Sequence, residues 1–205
     1  MTKEEFLEFA TNLISEEKNY LIIVNTKKMA QETYLHLKSK LGEDYQVFCL
    51  SNTQIPIDKV RVVNQVQSEI KKNKRKVLVS TQLIEAGVDV DFDVAIRDFC
   101  PLPNLLQSVG RVNRNFRHPN FYGEMYIVNI ENQCLKIYNE TSLDLTYKTL
   151  LKFQEDKIIK ENIYLDLNEF FFKELREVYS TVKSLDILNA LTSLNLKDID
   201  FKLIE

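Results

Sequence analysis

Between residues 20 and 130, short apolar runs rich in β-branched residues alternate with segments of helical periodicity. This alternation restricts the fold more than any other feature of the chain. The run Tyr20–Val24 reads Tyr-Leu-Ile-Ile-Val, with no polar residue to face solvent, the pattern of a strand buried on both faces. Further strands are expected at Gln46–Leu50, Lys76–Ser80, Asp93–Arg97 and Glu124–Ile130. Met29, Ala30, Tyr34, Leu37 and Leu41 recur at helical spacing, with Thr26 placed as N-cap and Gly42 as a C-terminal stop. Val60, Val63, Val66 and Ile70 do the same behind a capping Asp58, and Pro103 opens a helix through Gln107. Phe6, Phe9, Ala10, Leu13 and Ile14 place a helix ahead of the first strand. Strands and helices in this order predict an α/β fold, a mostly parallel sheet flanked by helices and joined by right-handed crossovers. Functional loops then leave the carboxyl ends of the strands, at residues 25–27, 51–53, 80–89 and 98–114.

After residue 130 the alternation stops. Residues 141–153 and 168–196 read as helices, the second with Phe170, Phe171, Leu175, Val178, Val182 and Leu185 as its apolar set. The expected division is an α/β domain over 1–135 and a helical extension over 136–205. No linker rich in Gly, Pro or Ser separates them.

Composition removes several functions. The four glycines are Gly42, Gly87, Gly110 and Gly123, no two within ten residues, so neither G-x-x-x-x-G-K-[ST] nor G-x-G-x-x-G occurs. The chain has no loop of its own for cradling a triphosphate. Cys49, Cys100 and Cys134 show no CxxC spacing, and His36 lies far from His118, which argues against a disulfide framework and against an internal metal centre. The cysteine pattern, the lack of a signal-peptide layout in Met1–Glu8 and the lack of a long apolar run point to a cytoplasmic protein without a membrane span. Net charge is −3, yet residues 59–117 carry 11 basic and 6 acidic side chains. A basic middle fits a phosphate-facing surface, and it equally fits a solvated helix rich in Lys71, Lys72, Lys74, Arg75 and Lys76.

Three segments can carry chemistry. Gln107-Ser-Val-Gly-Arg-Val-Asn-Arg114 holds Arg111 and Arg114 three residues apart, with Gly110 letting another backbone approach. Two guanidinium groups aimed at one point suit a transferring phosphoryl group, and two surface arginines in a turn are the plain alternative. Ser80-Thr-Gln-Leu-Ile-Glu-Ala-Gly-Val-Asp89 follows a buried strand, where hydroxyls and backbone N–H groups can meet nucleic-acid phosphates. Its plain alternative is a helix capped by Thr81 and a turn capped by Asp89. Tyr20–Thr26 ends a strand in Asn-Thr, which also describes a core strand followed by a capped helix.

In this order and spacing the three segments resemble motifs IV, V and VI of the second RecA-like domain of superfamily 2 helicases. The chain is most similar to the CRISPR-associated helicase–nuclease family of type I interference. Ser80–Asp89, Asp91-Phe-Asp93, Arg97-Asp-Phe-Cys-Pro-Leu102 and Gln107–Arg114 carry the resemblance, which is specific from about residue 18 to 116. It implies that Arg111 and Arg114 reach the γ-phosphate of ATP across a cleft between domains. Gln107, Gly87 and Asp89 would serve the nucleotide, and Thr81, Asn25 and Thr26 would contact single-stranded DNA. ATP and Mg²⁺ would be held mainly by a first RecA-like domain, which with the DNA and an RNA-guided surveillance complex makes up the implied partners. Neither that domain's P-loop nor a His-Asp nuclease motif occurs in this sequence, so the chain is expected to be one part of a motor and inactive alone. Ser108 stands where the family usually has arginine. Two alternatives are the equivalent domain of another superfamily 2 helicase, of repair or RNA type, and a non-catalytic nucleic-acid-binding scaffold.

Overall fold

The computed structural model describes residues 1–14, 18–43, 45–68, 75–85, 90–114 and 122–178. Five strands, β1 (Tyr20–Ile23), β2 (Tyr45–Leu50), β3 (Arg75–Ser80), β4 (Val94–Asp98) and β5 (Glu124–Val128), form one sheet in the order β2-β3-β1-β4-β5. Every neighbouring pair is parallel, with Tyr20 opposite Val77 on one side and opposite Val94 on the other. The helices are α1 (Lys3–Leu13), α2 (Lys27–Lys40), α3 (Pro56–Ser68), α4 (Leu102–Val109), α5 (Glu140–Phe153) and α6 (Tyr164–Val178). All five expected strands are present, their ends shifted by one or two residues.

β1 explains the sheet. Its four residues are all buried, and their alternation feeds two cores. Tyr20 and Ile22 join Phe6 and Ala10 of α1, Met29, Ala30 and Leu37 of α2, and Val77, Val79, Val94 and Ile96 on one face. Leu21 and Ile23 join Leu50, Val66 of α3, Leu78, Ile84, Phe92 and Ala95 on the other. A strand buried on both faces has no use for polar residues, which is why the run is wholly apolar.

Caps set the helix starts. Thr2 and Glu5 form a reciprocal capping box on α1, and Thr26 Oγ1 accepts the Met29 N–H at the start of α2. The ends depart from expectation at two places. α2 stops without a left-handed glycine: Leu41 turns extended and its N–H closes on the Leu37 carbonyl at 2.8 Å, while Gly42 keeps an ordinary φ. α3 begins at Pro56, whose fixed φ suits a first turn, so Asp58 lies inside the helix and pairs with Arg61 at 3.1 Å rather than capping it. Val60 on that helix is 59% exposed, and Ile70 lies outside the described residues.

The chain divides into two compact units, Met1–Thr146 and Tyr147–Glu205. The second, in its described part, ends α5 and adds a 3₁₀ turn and α6. Phe153 and Phe170 meet edge to face at 5.7 Å, and the Lys152 ammonium lies 3.5 Å over the Phe170 ring. The expected helix over 168–196 appears as far as Val178, and its remainder lies outside the described residues. No helix among the described residues is long and apolar enough to cross a membrane.

Candidate functional site

The loops at the carboxyl ends of β1, β2 and β3 open onto a crevice of about 540 Å³. Asn25, Thr26, Lys27, Asn52, Thr81, Gln82, Asn104, Ile137 and Tyr138 line it. The three residues assigned to nucleic acid from sequence, Asn25, Thr26 and Thr81, therefore come together in one place. Asn25 is 2% exposed and its side chain is committed, Nδ2 donating to the Phe99 carbonyl at 2.8 Å and Oδ1 accepting from Arg97 at 2.7 Å. Thr26 caps α2 and donates to Gln133 Oε1 at 2.8 Å. Thr81 is 4% exposed, its N–H on the Leu50 carbonyl. The more open lining comes from Lys27, Asn52 and Ile137, while Asn104 is half-buried. Helix α2 starts here with Lys27 and Lys28 and no acidic residue in its first turn. Cations at a helix N-terminus oppose its dipole and weaken the helix. An anion seated in front of the same end would relieve that cost.

The arginine turn is built separately. α4 ends at Val109, and the chain turns through Gly110, Arg111, Val112 and Asn113 to Arg114. Phe92 forms an isolated parallel bridge to Val112, its N–H on the Arg111 carbonyl at 3.1 Å and its carbonyl taking the Asn113 N–H at 2.8 Å. Asp91 Oδ1 accepts the Arg114 N–H at 2.9 Å. Asn113 adopts φ 46, the left-handed region that asparagine tolerates better than most residues. Gly123 lies so close that a Cβ there would fall 2.6 Å from Val112 Cγ1 and 3.0 Å from Asn113 Cβ. Thus Asp91-Phe92 and Gly123 fix the turn between the two arginines. Gly110 does not need to be glycine for space among the described residues, since a Cβ there would meet the Gln107 and Leu106 carbonyls at an ordinary 3.5 and 3.8 Å.

Arg111 is half-buried, with Nη2 donating to the Glu85 carbonyl at 2.7 Å, and Arg114 is exposed. Gln107 lies exposed on α4. Gly87 and Asp89 lie outside the described residues.

Between the crevice and the turn runs a buried polar network. Glu85 ends a short 3₁₀ helix, Gln82–Glu85, after β3. Its carboxylate pairs with Arg97 Nη2 at 2.9 Å and accepts from Asn104 Nδ2 at 2.9 Å and Ser108 Oγ at 3.2 Å. Ser108, which stands where the resemblance expects arginine, is fully buried, so at this carboxylate the guanidinium is supplied by β4 instead. Arg97 also donates through Nη1 to Asn25 Oδ1 and the Asp98 carbonyl, and through Nη2 to the Tyr138 hydroxyl at 3.3 Å. Breaking a buried pair of this kind strands a charge and costs about 3–5 kcal/mol. Asp98 beside it accepts the Ile130 N–H at 3.2 Å and the Asn25 N–H at 3.4 Å. Burial pushes its carboxyl up to about 6, against the pull of the Ile130 N–H and the Arg97 charge. Burial also pushes the Cys100 thiol up to about 12, which keeps it protonated and unreactive at neutral pH.

Glu85, Asp91 and Arg97 are the residues that sequence reasoning passed over. Each stands inside a quoted motif, but its partner comes from a segment remote in sequence.

A five-stranded parallel sheet in this order, with helices on both faces and such loops at its carboxyl edge, is a RecA-like α/β domain. Residues 16–117 match the family model "CRISPR-associated nuclease/helicase Cas3, C-terminal", so over that span the chain is similar to the Cas3-like C-terminal family. The CRISPR-associated nuclease/helicase Cas3 of Methanothermobacter thermautotrophicus is 28% identical over 184 residues, 83% of this chain. The chain spans only 22% of that relative's length. A crystal structure of T. fusca Cas3 with ADP superposes with a TM-score of 0.68 at 21% identity, over 93% of this chain and 24% of that one. A chain of a CRISPR RNA-guided surveillance complex in its pre-nicking state gives 0.55 at 18% identity, over 87% and 24%.

Proposed function

We propose that this domain is the second half of an ATP-driven DNA translocase of CRISPR interference, gripping single-stranded DNA in the crevice and presenting Arg111 and Arg114 to ATP. The observation that carries the reading is the start of α2, where Lys27 and Lys28 violate the dipole preference at the mouth of a polar crevice. Local rules are broken in this way where function needs it. Phosphates of a strand would meet Lys27 and the α2 N-terminus, with Asn52 and Asn104 as neutral hydrogen-bonding partners. Asn25, Thr26 and Thr81 hold the wall that shapes the contact. Such binding is independent of base sequence and sensitive to salt.

The arginine turn faces a different task. Its bridge to Phe92 and the Asp91 contact hold two guanidinium-bearing residues on one rigid turn. The first RecA-like domain of the complete protein would hold ATP and Mg²⁺, the metal supplying charge neutralisation along the triphosphate when bound. Arg111 and Arg114 would then close on the γ-phosphate and stabilise charge in the transition state, and Gln107, Gly87 and Asp89 would border the nucleotide. An arginine finger is worth about 10³–10⁵ in rate. The surveillance-complex neighbour supports recruitment by an RNA-guided complex.

In the complete protein, Arg114→Ala and Arg111→Ala are expected to abolish ATP hydrolysis, and Arg114→Ala, at the exposed position, is expected to leave the melting temperature nearly unchanged. Lys27→Ala is expected to weaken single-stranded DNA binding uniformly across sequences and to lower the salt slope by about 0.7–1. Near-normal turnover in both arginine variants would overturn the nucleotide role. Tight binding by the 205-residue chain alone, indifferent to nucleotide and to the first domain, would favour a scaffold instead.

A further inference from the structure

The reading above leaves open how a strand in the crevice is felt at the arginine turn, and one buried side chain lies between the two. Arg97 has no exposed surface, and its planar fork divides. Nη1 takes Asn25 Oδ1 at 2.7 Å, while Nη2 takes Glu85 Oε1 at 2.9 Å and the Tyr138 hydroxyl at 3.3 Å. Asn25 and Tyr138 are walls of the crevice. Glu85 carries the connection on: its carbonyl holds Arg111 Nη2 at 2.7 Å, and its carboxylate holds Ser108 of α4 together with Asn104, itself a lining residue of the crevice. Every link from the crevice wall to Arg111 is a charge-assisted hydrogen bond or a main-chain contact. A buried pair cannot separate without leaving a bare charge, so its two members move together.

We propose that Arg97 is a positioning residue that couples occupation of the crevice to the placement of Arg111, through its simultaneous grip on Asn25 and Glu85. The proposal rests on the functional reading above. A strand that draws on Asn25 or Tyr138 shifts the guanidinium, Glu85 follows it, and the Glu85 main chain carries Arg111. Ser108 gives Arg97 this task, because at that position an arginine would offer Glu85 a second cation anchored on α4.

The test uses the complete protein and its ATP turnover with and without oligo(dT). Arg97→Lys keeps a positive charge for Glu85, but an ammonium cannot reproduce the fork that joins Glu85 to Asn25. The variant is expected to fold, to bind oligo(dT) within about threefold of the parent, and to lose stimulation by DNA by about fivefold or more. The loss is expected in kcat rather than in KM for ATP, as for a group misplaced in the transition state. A purely structural Arg97 predicts that a folded R97K keeps the parent's stimulation ratio, and that result would overturn the proposal. Should R97K fail to fold, the neutral pair E85Q/R97Q carries the same test with the same two outcomes. An unmutated protein whose turnover ignores oligo(dT) overturns the crevice reading itself, and this proposal with it.

Discussion

Asp98, at the end of β4, holds two backbone N–H groups, of Asn25 and Ile130, and so ties to β4 the chain that leaves its two neighbours β1 and β5. Its carboxyl ionises at about 6 in the folded chain because burial penalises the charge, against about 3.9 when unfolded. With the folded value the higher, the stability it contributes is complete below about pH 4 and is lost as pH rises through about 6. Asp98→Asn carries no such titration, so the variant's urea midpoint relative to the parent is expected to rise between pH 4 and pH 7. A difference that stays flat over that range would refute the assignment. Legibility at this scale followed distance along the chain. Arg111, Arg114 and Thr81 stand in contiguous motifs and could be singled out by eye. Glu85 and Arg97 could not, because their meaning lies in the 3₁₀ turn after β3 meeting β4 past the intervening β1, and a linear reading does not supply that pairing.

The strands were legible because burial on both faces demands uninterrupted apolar runs, and α1 and α2 were legible because one face of each feeds a core. Helix ends were less so. Gly42 looked like a stop, yet the α2 end is satisfied by Leu41 closing on Leu37, and Asp58 looked like a cap that Pro56 pre-empts. The arginine turn was the least legible element, since it depends on a bridge to Phe92 and on space left by Gly123. Gly123→Ala tests that dependence. Overpacking against Val112 and Asn113 is expected to cost about 1–3 kcal/mol, read from chemical unfolding. Because the strain falls between Arg111 and Arg114, ATP turnover of the complete protein is expected to drop further than the same loss of stability placed elsewhere. Turnover that follows stability alone would separate Gly123 from the turn.

The whole chain carries no glycine-rich phosphate loop, so the 205 residues alone are expected to release phosphate from ATP at the background rate. Robust turnover by the purified chain, measured as phosphate release, would contradict this division of labour. Under the proposed function, adding a first RecA-like domain that bears a P-loop is expected to restore hydrolysis. The order β2-β3-β1-β4-β5 has a consequence for biosynthesis. β1 leaves the ribosome ahead of both neighbours that saturate its backbone, β3 from Arg75 and β4 from Val94. Until then the emerging polypeptide displays Tyr-Leu-Ile-Ile-Val with both edges bare, a ready template for association with other chains. A product terminated at residue 74 is therefore expected to precipitate or to be held by chaperones, whereas one that reaches residue 130 can close its sheet and stay in solution.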